Sequence, residues 1–513
     1  MDSRYKHYIL MKDTMMKLRY YTLIIVGLLM ANACDLTEEP YGFYSEENFY
    51  QSAEDAEAAI TYAYDALTFL EYSRTVFFLG DMPTDECGPK ADEGADAQDL
   101  NNWKVDNFST NRSLVNFFKY AYIAINRSNA ILENIPNAPI EDELKNKYLG
   151  EAHFLRAWNY FNLVRNFGEV PMHTTLVGSL DETSAPLANG LQEVYDLILS
   201  DARRAQELLT EYQTTGRADR VAAAALAAKT YLHMASAKEH GVPKYDALSL
   251  DVSTLYDSAA FFANEVLTNQ STFGFDDNLL DIYDVDQPKG PEHIFLMSMD
   301  RSGTIEGDYS KISKLFIPYI AGGDIYLNNN DGSMTKSHDG WSVFQTSDAF
   351  YNTFDANDAR GQELLVAEVF DADGNSIATY PGAIPYRFSR KYVDPHFITD
   401  KTSTKPYLLR YSDIALVYAE AAGPTAEAYA AVNFIRNRAG LGDLAPGLSI
   451  ADFREAVWQE RSWELMYEGN RLYDLRRFNR VNDLVEEAAG LSDEQVAYYP
   501  IPQIELDLNQ GLD

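Results

Sequence analysis

From about Glu46 to Leu267 the apolar residues recur at intervals of three and four, a spacing that confines the first half of the chain to amphipathic helices. The clearest runs from Glu151 to Phe167. Leu155, Trp158, Phe161 and Val164 fall on one face, Arg156, Asn159, Asn162 and Asn166 on another, and Gly168 ends it before Pro171. Further helices are expected over Gln192 to Glu211, Arg220 to Lys238 and Leu255 to Leu267, and the alanine run Ala222 to Ala228 lets a neighbour approach closely. Between about Thr272 and Lys405 that spacing disappears, and Gly, Asn, Asp, Pro and aromatic residues predict long loops with short strands. One hairpin is expected from Glu363 to Tyr380, turning at Asp371-Ala372-Asp373-Gly374-Asn375, five residues that lack the later glycine and glutamate of a calcium loop. Helices return over Tyr407 to Ala422, Pro424 to Ala439, Phe453 to Tyr467 and Asn470 to Phe478. The expected fold class is therefore mainly α, with regions 34–271, 272–405 and 406–513 forming one body.

A chain of 513 residues, 46% hydrophobic and 23% charged, has the material for a sizeable core. Its 42 basic and 78 acidic residues leave a net charge of −36, a field that repels phosphate backbones, so nucleic acid is not an expected partner.

Lys17 and Arg19 precede an apolar run from Tyr20 to Met30, which meets Ala31-Asn32-Ala33 immediately before Cys34. This is the order of a secretory signal, covering residues 1–33, with Met15 or Met16 as the start; the run is shorter than the roughly 20 residues a bilayer-spanning helix needs. Ala-Asn-Ala-Cys resembles a bacterial lipobox, which makes Cys34 the lipid-attachment residue. Several buried acyl chains would anchor the body firmly, the only membrane association expected. The other cysteine, Cys87, has no histidine nearby in sequence and reads as an inert thiol.

Several segments in fixed order resemble the SusD/RagB family of outer-membrane nutrient-binding lipoproteins. They include Glu38-Glu39-Pro40, Ser45-Glu46-Glu47-Asn48-Phe49, Glu151-Ala152-His153-Phe154-Leu155-Arg156-Ala157 and Phe167-Gly168-Glu169-Val170-Pro171. More specific are Leu409-Arg410-Tyr411-Ser412-Asp413-Ile414, Asn433-Phe434-Ile435-Arg436-Asn437-Arg438-Ala439-Gly440, Glu468-Gly469-Asn470-Arg471, Asp474-Leu475-Arg476-Arg477-Phe478 and Tyr499-Pro500-Ile501-Pro502. The resemblance implies tetratricopeptide-like helix pairs with a loop-rich insertion that carries the ligand site. It also implies an outward-facing, lipid-anchored protein of the outer membrane. Such a protein captures a glycan, or in a minority of members a peptide, for a SusC-type TonB-dependent transporter, and it binds without catalysis.

The residues offer little to an enzyme. Glu460, Glu464 and Glu468 recur every four residues beside Arg461, Arg471, Arg476 and Arg477. Two of the glutamates could serve a surface glycosidase as acid and base, but an ionic network between helices is the better reading. His233 and His240 stand about two helical turns apart, roughly 10 Å, too far for one metal ion, and are expected at the surface. No cofactor motif occurs. Of 35 Tyr, 26 Phe and 5 Trp most must be core, and Trp158, Trp458 and Trp463 lie on expected helices. Trp103 and Trp341 instead sit by polar loops, the latter after Gly322-Gly323-Asp324-Ile325-Tyr326-Leu327-Asn328-Asn329-Asn330. Aromatic faces pack against sugar rings and short polar side chains bind hydroxyls, so Trp103, Tyr326 and Trp341 are expected to stack on the ligand while Asp85, Asn101 and Asn329 hydrogen-bond it.

Overall fold

The computed structural model describes residues 49–210, 216–268, 273–287, 290–320 and 323–512; the signal segment and Cys34 lie outside the described residues. Ser52 and Asp55 form a reciprocal capping box that starts α1 (Ala53–Thr68). Long helices follow at α2 (Arg112–Asn134), α3 (Asp142–Phe167), α4 (Leu191–Leu208), α5 (Arg220–Glu239) and α6 (Val252–Thr268). Each of α2 to α6 packs on the next in sequence, so the first half is a stack of helix pairs. Asp219 caps α5 by accepting from the Ala222 amide at 2.8 Å. All seven residues of the alanine run that follows are buried, consistent with close helix approach on more than one side.

α3 departs from the expected amphipathic picture. Asn159 and Asn166 are as buried as Leu155 and Val164, because neighbours cover this helix all round. Its polar face is satisfied internally instead. Arg156 makes a two-point pair with Asp201 at 2.7 and 2.9 Å, Tyr72 donates to Asn159 Oδ1 at 2.9 Å, and Asn166 Nδ2 donates to the Tyr473 hydroxyl at 2.8 Å.

Among the described residues there are ten short strands, β1 (Cys87–Pro89) in the first half and, in the second, β2 (His293–Leu296), β3 (Asp324–Asn328), β4 (Met334–His338), β5 (Phe344–Thr346), β6 (Leu365–Val366), β7 (Glu368–Phe370), β8 (Ser376–Thr379), β9 (Phe388–Ser389) and β10 (Tyr407–Arg410). The largest sheet has the order β4-β3-β7-β8. Its inner face places Ile325, Leu327, Val369 and Ala378 in one apolar cluster. The hairpin β7–β8 turns where the Asp371 side chain accepts from the Asp373 and Asn375 amides, both at 2.9 Å, as an Asx turn does.

The helices expected near the C-terminus are α7 (Tyr411–Ala422), α8 (Ala426–Arg438), α9 (Ile450–Glu464) and α10 (Arg471–Arg477). Residues Tyr407 to Arg410, read as the first turn of a helix, are instead strand β10, paired antiparallel with β2. Both strands are buried throughout, and an unbroken apolar run does not distinguish strand from helix. Residues Tyr50–Asp513 form one compact unit. Its two ends meet at a backbone contact: a Cβ on Gly80 would lie 2.4 Å from the carbonyl oxygen of Gly469.

The glutamate stripe is fully buried and ionic. Glu460 pairs with Arg360 at 2.7 Å and Arg436 at 3.0 Å, Glu464 with Arg438 at 2.7 Å, and Glu468 with Lys391 at 2.7 Å and Arg410 at 2.9 Å. Glu292 joins them through Arg410 at 2.6 Å and Arg438, and these two guanidinium groups hold its carboxyl down at about 2 despite burial. His233 is not on the surface as expected: it is 6% exposed, its ring edge-on to Phe161 and Tyr245. Cys87 is a buried free thiol, pushed well above its usual range by burial.

Candidate ligand-binding surface

Two segments far apart in sequence are joined by the ribbon of β1 and β5, in which Cys87, Gly88 and Pro89 pair with Thr346, Gln345 and Phe344. The ribbon brings the polar loop around Asp85 and Asn101 to the segment that carries Trp341. Below it the rings of Phe77, Phe316, Phe344, Tyr392 and Tyr467 pack with Phe316 at their centre, 4.9 to 5.4 Å from the others. Many of the chain's aromatic residues are used here, as a rigid floor.

Trp341 is mounted on this floor by its backbone. The amides of Gly340, Trp341 and Ser342 donate to the carbonyls of Pro318 at 3.0 Å, Lys314 at 2.6 Å and Ile317 at 3.1 Å. Ser342 takes a left-handed φ of 62°, a strained value for a residue with a side chain, and its hydroxyl accepts from the Tyr319 amide at 3.0 Å. The Trp341 ring is half-buried, with Arg74 5.4 Å and Lys314 5.9 Å from its centroid. Arg74 is ion-paired with Glu306, and Lys314 with Asp400 at 2.7 Å. Beside it the ring of Tyr319 is 68% exposed. A half-buried indole on a backbone held by three hydrogen bonds, an exposed phenol and the half-buried Arg74 guanidinium can hold a planar or ring-shaped polar ligand.

The other expected residues are distributed differently. Trp103 is corrected to a core role: it is 3% exposed, its indole donates to the Pro83 carbonyl at 3.0 Å, and its ring stacks on Tyr499 and meets Phe108 edge-on. It therefore anchors the Asp85 loop from inside and has no free face for a ligand. Asp85 is gripped on both oxygens by Arg471, at 2.8 and 2.7 Å, and keeps only a small exposed edge. Asn101 is half-buried at the end of a short helix, Ala95–Asn101, against Gly88 of the ribbon.

Tyr326 and Asn329 belong to the β3–β4 hairpin. Tyr326 lies half-buried on the outer face of the sheet, opposite Lys336 and Phe370. Asn329 accepts from Arg390 at 2.6 Å and donates to Ser333 and Thr335, on the wall of a cleft of about 510 Å³ that also includes Asp281, Asp284, Glu363 and His396. Sequence reasoning missed Arg74, Lys314 and Tyr319. Only Pro318 before Tyr319 marked a turn in the chain, and nothing in the spacing linked Arg74 to Trp341.

Among the described residues no group of three or more His, Cys, Asp or Glu side chains is arranged to hold a metal ion, and no helix is long and apolar enough to cross a membrane.

Comparison with known proteins adds three findings. Residues 371–513 match the model of the SusD family, and residues 51–232 match a model described as starch-binding associating with outer membrane. SusD-like protein P2 of Formosa agariphila is 25% identical over 542 residues, covering 97% of this chain and 99% of the relative. Among solved structures, a SusD homologue from Bacteroides thetaiotaomicron superposes with a TM-score of 0.73 at 22% identity, over 91% of this chain and 97% of that one. Surface glycan-binding protein A from the same organism, in complex with laminarihexaose, gives 0.68 at 19% identity over 89% and 98%. These two likenesses establish a mainly helical fold with small sheets.

Proposed function

Because the chain belongs to the SusD/RagB family, we propose that it is a surface lipoprotein of the outer membrane that captures an oligosaccharide and passes it intact to a SusC-type TonB-dependent transporter. Cys34 is its acylated residue, and the compact unit that begins at Tyr50 faces outward. The observation that carries this reading is the mounting of Trp341. Its backbone is held in place by three hydrogen bonds before any ligand arrives, so presenting the indole to a sugar costs little backbone ordering entropy. Tyr319 supplies a second ring, while the half-buried Arg74 supplies donors for hydroxyl groups. In this reading Tyr326, Asn329, Asp85 and Asn101 are outlying or supporting residues of the binding region.

The laminarihexaose complex of a structural neighbour supports a glycan as the ligand class. A binding role without turnover is supported by the state of the clustered glutamates. Glu460 and Glu464 are at most 1% exposed and bonded to arginines, whereas hydrolysis needs two carboxylates flanking an open cleft.

Purified protein should bind a pool of oligosaccharides saturably and release them unchanged, as followed by calorimetry and chromatography. Trp341→Ala should weaken the affinity about fivefold, on the order of 1 kcal/mol. Binding confined to a peptide pool would move the ligand class, and cleavage products would end the reading.

A further inference from the structure

Where α3, α5, α7, α9 and α10 meet, three cations and three carboxylates neutralise one another. Lys229 pairs with Asp413, Arg461 bridges Asp413 at 2.8 Å and Asp474 at 3.0 Å, and Arg477 bridges Asp474 at 2.8 Å and Glu420. Two further guanidinium groups of the same region stand outside that pairing. Arg165 is 7% exposed and Arg476 3%, and among the described residues neither forms an ion pair with a carboxylate.

Arg165 donates to Asn162 and lies between the rings of Phe161 and Tyr473, 4.2 and 3.8 Å from their centroids, while its Nε–H meets no acceptor. Arg476 donates to the carbonyls of Val496 at 2.9 Å and Arg165 at 3.0 Å, leaving Nη2 without one. This buried region thus carries two positive charges more than it carries negative, which dry protein does not tolerate well. The potential is felt by neighbours. Burial and then Arg165 and Arg477 lower His233 well below its usual range, and burial lowers Lys229, Arg165 and Arg476.

The Arg165 side chain lines a cavity of about 30 Å³. Trp158, Asn162 and Arg165 reach it from one face of α3, spaced by four and three residues, and Lys229, Asn470 and Tyr473 close the other side. Lys229 uses two of its three N–H groups on Asp413 and Asn470, which leaves one for the cavity. Glu468 also borders it, but its oxygens are taken by Lys391 and Arg410. The volume suits a single water-sized occupant. A water molecule could satisfy one donor and would leave the charge surplus as it was.

We propose that this cavity binds a small monovalent anion of chloride size, held between the Arg165 guanidinium and the Lys229 ammonium. The ion offsets half of the surplus and ties α3, α5 and the turn at Asn470 together from inside.

Crystals of the protein grown in sodium bromide should show an anomalous bromine peak between Arg165 and Lys229; a cavity without that peak overturns the proposal. In solution at constant ionic strength, replacing 0.1 M gluconate by chloride should raise the melting temperature by about 2 °C, and Arg165→Met should abolish the rise. A halide response that survives the substitution counts against the site. The bromide measurement uses the unaltered chain, so it decides the matter even if the variant does not fold.

Discussion

A Cβ on Gly340 would stand 2.0 Å from the carbonyl oxygen of Ile317, so no larger residue fits without moving the β4–β5 connection that presents Trp341. Gly340→Ala should therefore weaken oligosaccharide binding about as much as loss of the Trp341 ring, although the ring itself is intact. Overpacking there should also cost about 1–3 kcal/mol of stability, read from denaturant unfolding. Unchanged affinity in this variant would mean that the position of Trp341 is not what the ligand senses. The two loop tryptophans also show what a sequence conveys about a site. Both stood out because they lie beside polar loops, yet only Trp341 reaches the surface. Trp103 turns inward through a left-handed φ of 48° and a bond to Pro83, and that depends on contacts twenty residues away.

The ribbon of β1 and β5 rests on two buried acids that sequence reading passed over. Asp81 accepts from the Gly469 amide and Glu86 from the Tyr467 amide, and among the described residues neither forms an ion pair. Burial raises both; Glu86 reaches about 8, with Asp85 adding to the rise and Arg471 and Lys391 opposing it. The folded protein thus keeps a proton on Glu86 that the unfolded chain gives up near 4.5. That contribution to stability is complete below the unfolded value, declines as pH climbs, and is gone once pH passes about 8. Melting temperatures measured from pH 5 to pH 9 should fall, and Glu86→Gln should flatten the slope. Equal slopes in the two proteins would remove Glu86 as the cause. Helices were the legible elements, since their period survives in the apolar residues. The strand β10 was misread because it is buried on both faces, and the polar side of α3 because its partners, Asp201, Tyr72 and Tyr473, lie 45, 87 and 307 residues away.

Across the molecule, the network of Glu292, Glu460, Glu464 and Glu468 with Arg360, Lys391, Arg410, Arg436 and Arg438 draws on every part of the second half. The glutamate stripe was visible in the sequence as charges to be neutralised, but the arginines beside it are engaged elsewhere, Arg461 and Arg477 with Asp413, Asp474 and Glu420 and Arg471 with Asp85, while Arg360, Lys391 and Arg410 were not identifiable as partners at such separations. Arg410→Met should lower stability by about 3–5 kcal/mol in chemical unfolding, because it takes one cationic partner from three buried carboxylates at once. A loss below about 1 kcal/mol would show that the remaining cations suffice. The contact of Gly80 with Gly469 has a consequence for synthesis. Tyr467 and Arg471, which seat the Asp85 loop, emerge 381 and 386 residues after the partners they hold when the chain is made from its N-terminus. The rim of the candidate surface is thus assembled late, and a polypeptide cut short before that point would display helices with no finished mouth.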